Sequence, residues 1–384
     1  AITAMQVAGG LDYLVQVASK ILRKNPKQIN YLAPIVTYML TILAGTGHTA
    51  FSMIPVIVEV AKTQNIKPSA PLALSVVSSQ VAITASPISA AFVAMTGVCE
   101  PLGVRYPMLL FVCISTTFVA MLVTAFIVNK FYDLDLSKDP IYQDRLARGA
   151  VAEIKEVEYQ ELKPYAKRSV AIFAVGVLIV VCYALIISKS LGIVAKPILS
   201  RDAAIISFML TIGFLIATLC KVDTSKLLST STFQSGMNAC ICVIGIAWLG
   251  TTFVNGHIDG IKEVAKNVVT QYPFVLAIAL YFLSCLLYSQ AATTRVMMPA
   301  VAAALGMTSP ENSGQIWILV ASFAAVSGLF VLPTYPTTLG AIAMDDTGTT
   351  RVGKFVFNHS FFVPGTIMVA LSVALAFLIA PVLI

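Results

Sequence analysis

Long apolar runs dominate the chain, falling roughly at 1–19, 29–45, 46–61, 70–98, 107–131, 169–188, 203–220, 234–254, 273–288, 289–305, 315–344 and 355–384. Short polar stretches separate them. Many runs approach the ~20 residues that carry a helix across a bilayer. Period-2 alternation is almost absent, so the pattern predicts membrane helices rather than barrel strands. The chain opens on Ala1 with no charged leader, and its first run reads as the back half of a spanning helix, so upstream sequence is expected. The Gly9-Gly10 pair in that run predicts close helix packing.

Two regions interrupt this pattern in the same way. Gly45-Thr46-Gly47-His48-Thr49 runs on to Pro55 and is followed by Thr84-Ala85-Ser86-Pro87. Ser289-Gln290-Ala291-Ala292-Thr293 runs on to Pro299 and is followed by Pro333-Thr334-Tyr335-Pro336-Thr337. Pro55 aligns with Pro299 and Pro87 with Pro336, the second copy carrying a few extra linker residues. Duplicated hydrophobic segments broken by Gly and Pro point to a secondary transporter with its binding site near the bilayer midplane.

Charge sets the expected topology. The chain of 384 residues is 58% hydrophobic and 11% charged, well below the ~25% of soluble domains, and carries a net charge of +7. The basic residues sit in short loops, which fits the positive-inside rule and not nucleic-acid binding. Lys20, Arg23, Lys24 and Lys27 before residues 29–61, and Lys62 and Lys67 after them, place both ends of that stretch on the cytoplasmic side. Residues 29–61 are therefore expected to form a re-entrant hairpin with its tip at Gly45–His48. Exposed backbone at membrane depth is tolerated only in a protein-lined or wet cavity. Residues 273–305 give a second hairpin, entered from outside. Residues 257–270 read as an amphipathic interfacial helix. The expected fold is an all-α polytopic membrane protein of two inverted repeats: 1–131, with a hairpin at about 29–61 and a broken helix at about 70–98, and 169–384, with a hairpin at about 273–305 and a broken helix at about 315–344. Residues 132–168 form a solvated, cytoplasmic helical linker between them, and the C-terminus lies outside.

The interruptions carry the candidate chemistry. Pro87 and Pro336 disfavour helix in the preceding residue and suit a first helical turn, and Ser86 suits an N-cap. Each break is expected to leave a helix amino end inside the membrane, where it can hold an anion. Hydroxyls of Thr46, Thr84, Ser86, Ser289, Thr334 and Thr337 and the amide of Gln290 add donors, enough to hold the two carboxylates of a small diacid. His48 either contacts substrate or is a hydrogen-bonded tip residue. Arg295 either neutralises a substrate carboxylate or pairs with an acid such as Glu59, since an intramembrane Arg usually faces a cavity or a partner. Asp345–Arg351 reads as a capped turn at a cytoplasmic helix end. The seven cysteines show no metal spacing and no disulfide framework, no metal site or cofactor is indicated, and no nucleophile–base pair suggests an enzyme.

The stretches Met5–Asp12, Leu43–Gly47, Thr84–Pro87, Tyr288–Ala292, Leu332–Pro336 and Asp345–Thr350 together resemble the anaerobic C4-dicarboxylate transporter (Dcu) family of bacteria, its DcuA-type branch more than its DcuB-type, over the whole chain. That resemblance implies an inner-membrane exchanger that takes in fumarate, malate or aspartate and releases succinate. It implies kinship with the ion-transporter superfamily, whose carriers move a substrate-bearing domain past a scaffold like an elevator, and, by analogy with that superfamily, a homodimer. The residues carried over are Gly45, Thr46, Gly47 and His48; Thr84, Ser86 and Pro87; Ser289, Gln290 and Ala291; and Pro333, Thr334, Tyr335 and Thr337. Cation-coupled symport of the same acids is the alternative mechanism, and a diacid sensor that moves nothing is the alternative class.

Overall fold

The structure is a computed structural model that describes residues 1–151, 161–187, 198–199, 201–230, 271–307 and 309–384, with isolated positions between 231 and 270. The expected span at 234–254 and interfacial helix at 257–270 lie outside the described residues. The rest is helical, with only two isolated β-bridges. In chain order the helices are α1 (Ile2–Val7), α2 (Gly10–Lys24), α3 (Ile29–Ala44), α4 (Thr49–Thr63), α5 (Ser69–Ile83), α6 (Ala90–Cys99), α7 (Tyr106–Phe131), α8 (Pro140–Ala147), α9 (Ala166–Ile186), α10 (Arg201–Leu219), α11 (Phe274–Leu287), α12 (Gln290–Ala304), α13 (Ile316–Ser322), α14 (Pro336–Met344) and α15 (Phe362–Leu383). A 3-10 stretch, Phe323–Phe330, continues α13.

Helix α5 forms the centre. Every residue from Ala70 to Ile83 is buried, as expected of a helix apolar all round. It lies against α3 along a seam of small hydroxyl residues. Thr37 Oγ1 donates to Ser75 O (3.2 Å) and shares a hydrogen bond with Ser78 Oγ (3.0 Å). Ser78 Oγ in turn donates to Pro34 O at 3.0 Å, meeting a carbonyl beside a helix proline. Small residues let the two backbones approach, and the hydroxyls satisfy each other without water. Tyr38, fully buried, ties α3 to α7 through a 2.7 Å bond to Thr117.

Length separates the helices into two kinds. At 1.5 Å per residue, α7 (26 residues) and α15 (22 residues) reach ~39 and ~33 Å, enough to cross a ~30 Å hydrocarbon core. They pack on each other. Helices α3, α4, α11 and α12, of 14 to 16 residues, reach only ~21–24 Å.

Packing crosses between the two halves of the chain. Helices α4 and α14 lie together, and so do α6 and α12. A Cβ placed on Gly340 of α14 would fall 2.4 Å from the Phe51 ring of α4. Within each half, the first hairpin arm lies on the first part of the interrupted helix: α3 on α5, α11 on the 3-10 stretch.

One end of the bundle is charged. Lys62 bonds Asp346 (2.8 Å), Lys67 bonds Asp133 (3.0 Å), Arg351 approaches Asp139 (3.7 Å), and Arg145 donates to Asp346 O (3.1 Å). Nearby in sequence, Glu59 bonds Arg23 at 2.8 Å. The expected capped turn after α14 is present: the buried Asp345 carboxylate accepts from Thr347 N (3.0 Å), Thr349 Oγ1 (2.9 Å) and Thr350 N (2.7 Å), and Thr349 Oγ1 accepts from Ser69 N.

Several expectations need correction. The run 1–19 is not a single helix: Gly9, at φ +85°, separates α1 from an amphipathic α2 that extends to Lys24. The close packing expected of the Gly9-Gly10 pair is present, since a Cβ on Gly10 would fall 2.5 Å from Ser169 Oγ. The last helix starts at Phe362, not 355, because residues 351–360 turn back on themselves through a Val352–His359 bridge. In the described part of the linker most residues are exposed, while Leu136 and Asp139 are buried and Asp139 caps α8.

Candidate functional site

The two hairpin tips and two helix breaks are where helices begin. Helix α4 starts after His48, α6 after Ser89, α12 after Ser289 and α14 after Tyr335. Each amino end leaves N–H groups unpaired within its helix and carries about half a positive charge. Contacts bring some of these ends together, His48 beside Tyr335 and Gly45 beside Ile88.

At the first tip, Gly45 is the left-handed C-cap of α3 (φ +66°), a conformation that suits glycine. A Cβ there would lie 3.0 Å from Ile88, so the tip rests on the first break. Gly47 is buried, its Cβ position 3.5 Å from Ser79 O. Thr46 is half-buried, its hydroxyl accepting from His48 N at 3.4 Å. The His48 ring faces Tyr335 at 6.4 Å between centroids and 20° between planes.

At the first break, α5 ends at Ile83 and α6 begins at Ala90. The break is where the sequence puts it, but its cap is not. Ser89 caps α6, accepting from Phe92 N at 3.1 Å, and Pro87 is buried in the link. Ser86 lies three residues before the cap, and its hydroxyl donates to Ile42 O of α3 (2.8 Å). Thr84 likewise donates to backbone, Val81 O at 2.8 Å. These two hydroxyls hold the loop, and their protons are committed to it.

At the second tip, Ser289 caps α12 by accepting from Ala292 N (3.1 Å), with Ala291 half-buried against the core. Gln290, 5% exposed, donates through Nε2 to Gln80 O at 3.2 Å. At the second break, Pro333 is buried, Tyr335 is the N-cap of α14 and Pro336 its first residue, as expected. The Thr334 hydroxyl bonds Tyr288 Oη, and the Tyr288 and Tyr335 rings stack at 6.1 Å and 5°. Thr337, buried, accepts from Gln80 Nε2 at 3.4 Å.

Contacts thus join His48 of one tip, Thr334 and Tyr335 of a break, and Gln290 of the other tip. Arg295 does not join them. It stands exposed on α12, and among the described residues no hydrogen bond or ion pair reaches it. The alternative pairing with Glu59 is overturned, since Glu59 bonds Arg23 instead.

Comparison with known proteins decides the family. The family described as anaerobic C4-dicarboxylate membrane transporter matches residues 1–384. The chain belongs to it. A Helicobacter pylori protein named C4-dicarboxylate transporter DcuA is 58% identical over 384 residues, all of this chain and 86% of that protein. The Escherichia coli K12 protein of the same name is 54% identical over 379 residues, 99% of this chain and 86% of its own length. An anaerobic C4-dicarboxylate transporter DcuB from Escherichia coli O6:H1 is 35% identical over 391 residues, 98% of this chain and 84% of its own. No solved structure matches. Membership makes the chain an integral membrane protein, and the higher identities to the DcuA proteins agree with the branch expected from the motifs.

Three residues at the crossing were not among the expected site residues: Tyr288, which opens one of the family stretches, Ser327 and Gln80. Ser327 Oγ donates to Gln80 O at 3.3 Å, so Gln80 meets Gln290, Ser327 and Thr337, all from the other half of the chain. A lone amide four residues before the first break was the available sequence signal.

Proposed function

We propose that the chain exchanges C4-dicarboxylates across the bacterial inner membrane by alternating access, taking in fumarate, malate or aspartate against succinate. The observation that carries this reading is the gathering of helix amino ends at duplicated tips and breaks. A diacid needs two anion sites a few ångströms apart, and helix amino ends within an apolar body supply them without a full buried charge. In this reading Gly45, Thr46, Gly47, His48, Ser289, Gln290, Ala291, Pro333, Thr334, Tyr335 and Thr337 surround the substrate, with Thr84, Ser86 and Pro87 shaping the first break. Arg295, exposed on α12, serves to draw anions toward the site.

The finer architecture belongs to the same proposal. The crossed pairs α4–α14 and α6–α12 support two inverted repeats, 1–131 and 169–384, each with a re-entrant hairpin and a broken helix. The short hairpin arms support re-entry rather than crossing. The joining of Lys62, Lys67, residues 133–145 and Asp346–Arg351 at one end supports a single cytoplasmic face that includes the linker 132–168, with the C-terminus of α15 on the periplasmic face. Scaffold and moving domain work as an elevator, in a homodimer.

Counterflow in proteoliposomes tests the exchange. Succinate trapped inside should accelerate entry of labelled fumarate with no ion gradient. Uptake that requires Na+ or H+ and ignores internal diacid would replace exchange with symport, and binding without flux would make the protein a sensor.

A further inference from the structure

The groups gathered at the crossing are mostly donors, which suits carboxylates, but one is not. Gln80 is 1% exposed, and its Oε1 is buried with no hydrogen-bond partner. A buried acceptor left unpaired is costly, and a donor on a bound ligand would complete it. The rest of the residue is held firmly. Thr84 N–H turns to Val81 O (3.1 Å) at the end of α5, and the Gln80 carbonyl accepts from Gln290 Nε2 and Ser327 Oγ. Nε2 is fixed on Thr337 Oγ1 in the first turn of α14. The orphan oxygen therefore sits where tip, break and helix amino end meet.

The geometry points to Gln80 as the residue that reads the substituent on the substrate's second carbon, accepting a hydrogen bond from the hydroxyl of a 2-hydroxy diacid or the ammonium of a 2-amino diacid. Unsubstituted diacids, fully ionised, have only acceptors and leave Oε1 unpaired. A site that pairs a substrate donor binds the analogue lacking it more weakly, because its own acceptor is then left unpaired. This inference rests on the proposed diacid site and adds the preference within it.

Isothermal titration or substrate-dependent thermal stabilisation of the purified full chain tests it, with succinate, 2-methylsuccinate, malate and aspartate as probes. In the unmodified protein malate should bind about tenfold tighter than 2-methylsuccinate, which fills the same space without a donor. In Gln80→Met the malate-to-succinate affinity ratio should fall about tenfold, whatever change is common to all acids. In Gln80→Glu aspartate should gain on malate, because a carboxylate favours the ammonium. Equal affinity of the unmodified protein for malate and 2-methylsuccinate overturns the assignment, and needs no folded variant. A ratio unmoved in both variants does so too. Failure of all four acids to bind the unmodified protein instead removes the diacid site itself.

Discussion

Tyr288 holds a backbone that its side chain disfavours. Its φ of +51° places a bulky residue in the left-handed region, where L side chains cost roughly 1–2 kcal/mol. The equivalent C-cap at the first tip is Gly45, which avoids that cost. At the second tip the aromatic ring offsets the strain by stacking on Tyr335, and the hydroxyl reaches Thr334. Strain of this kind gathers at sites where geometry serves function. Tyr288→Phe keeps ring and backbone and removes only the bond to Thr334. Diacid affinity, read by counterflow, should weaken about tenfold, while the melting temperature moves by about 2 °C or less because the pair is exposed. A large fall in melting temperature with unaltered affinity would make the pair structural. Glycines made the first tip legible and prolines both breaks, because few other residues permit those conformations, whereas the second tip was legible only through its alignment with the first. Gln80 and Tyr288 were not legible as site residues. Their roles depend on partners some 200 and 46 positions away.

Broken helices were readable as elements, but their exact starts were decided by packing. Ser86 and Ser89 are both good caps by residue type; Ser89 caps α6, while the Ser86 hydroxyl ties the link to Ile42 O of α3. Likewise Phe355-Val356-Phe357 is apolar enough to extend the last helix, yet Gly353 N–H closes a tight turn on Asn358 O and keeps it out. The crossed pairing of α4 with α14 was legible only as an implication of the repeat. It depends on Gly340, whose missing side chain admits Phe51. Gly340→Val should separate the helices and destabilise by about 1–3 kcal/mol, as overpacking does. Phe51→Ala in the same chain should recover much of that loss, although it opens a cavity when made alone. A thermal-melt double-mutant cycle checks this, and additive losses would show that the two residues do not meet in the membrane.

Viewed along the whole molecule, α4 and α14 form one unit from end to end. They begin side by side at His48 and Tyr335, touch at Phe51 and Gly340, and finish at Lys62 and Asp346. Helices α6 and α12 also pack together, and beyond their carboxyl ends Gly103 meets Pro310. Each unit draws one helix from each half of the chain, so neither half is a self-contained body at the site. A carrier that moves its substrate in a rigid unit needs such cross-ties, since a site split between two loosely joined halves would open as it moved. The Lys62–Asp346 pair is the charged end of one tie, with the Lys side chain 7% exposed and the Asp 26%. Asp346→Asn leaves a largely buried ammonium short of its carboxylate and should cost about 2 kcal/mol. Lys62→Met alone should cost less, because it removes the charge that is expensive to bury. The double variant should lie near Lys62→Met rather than at the sum of the two, a coupling that thermal unfolding in detergent would register. If the losses simply add, the two halves are tied elsewhere, and the α4–α14 unit is held by its apolar contacts alone.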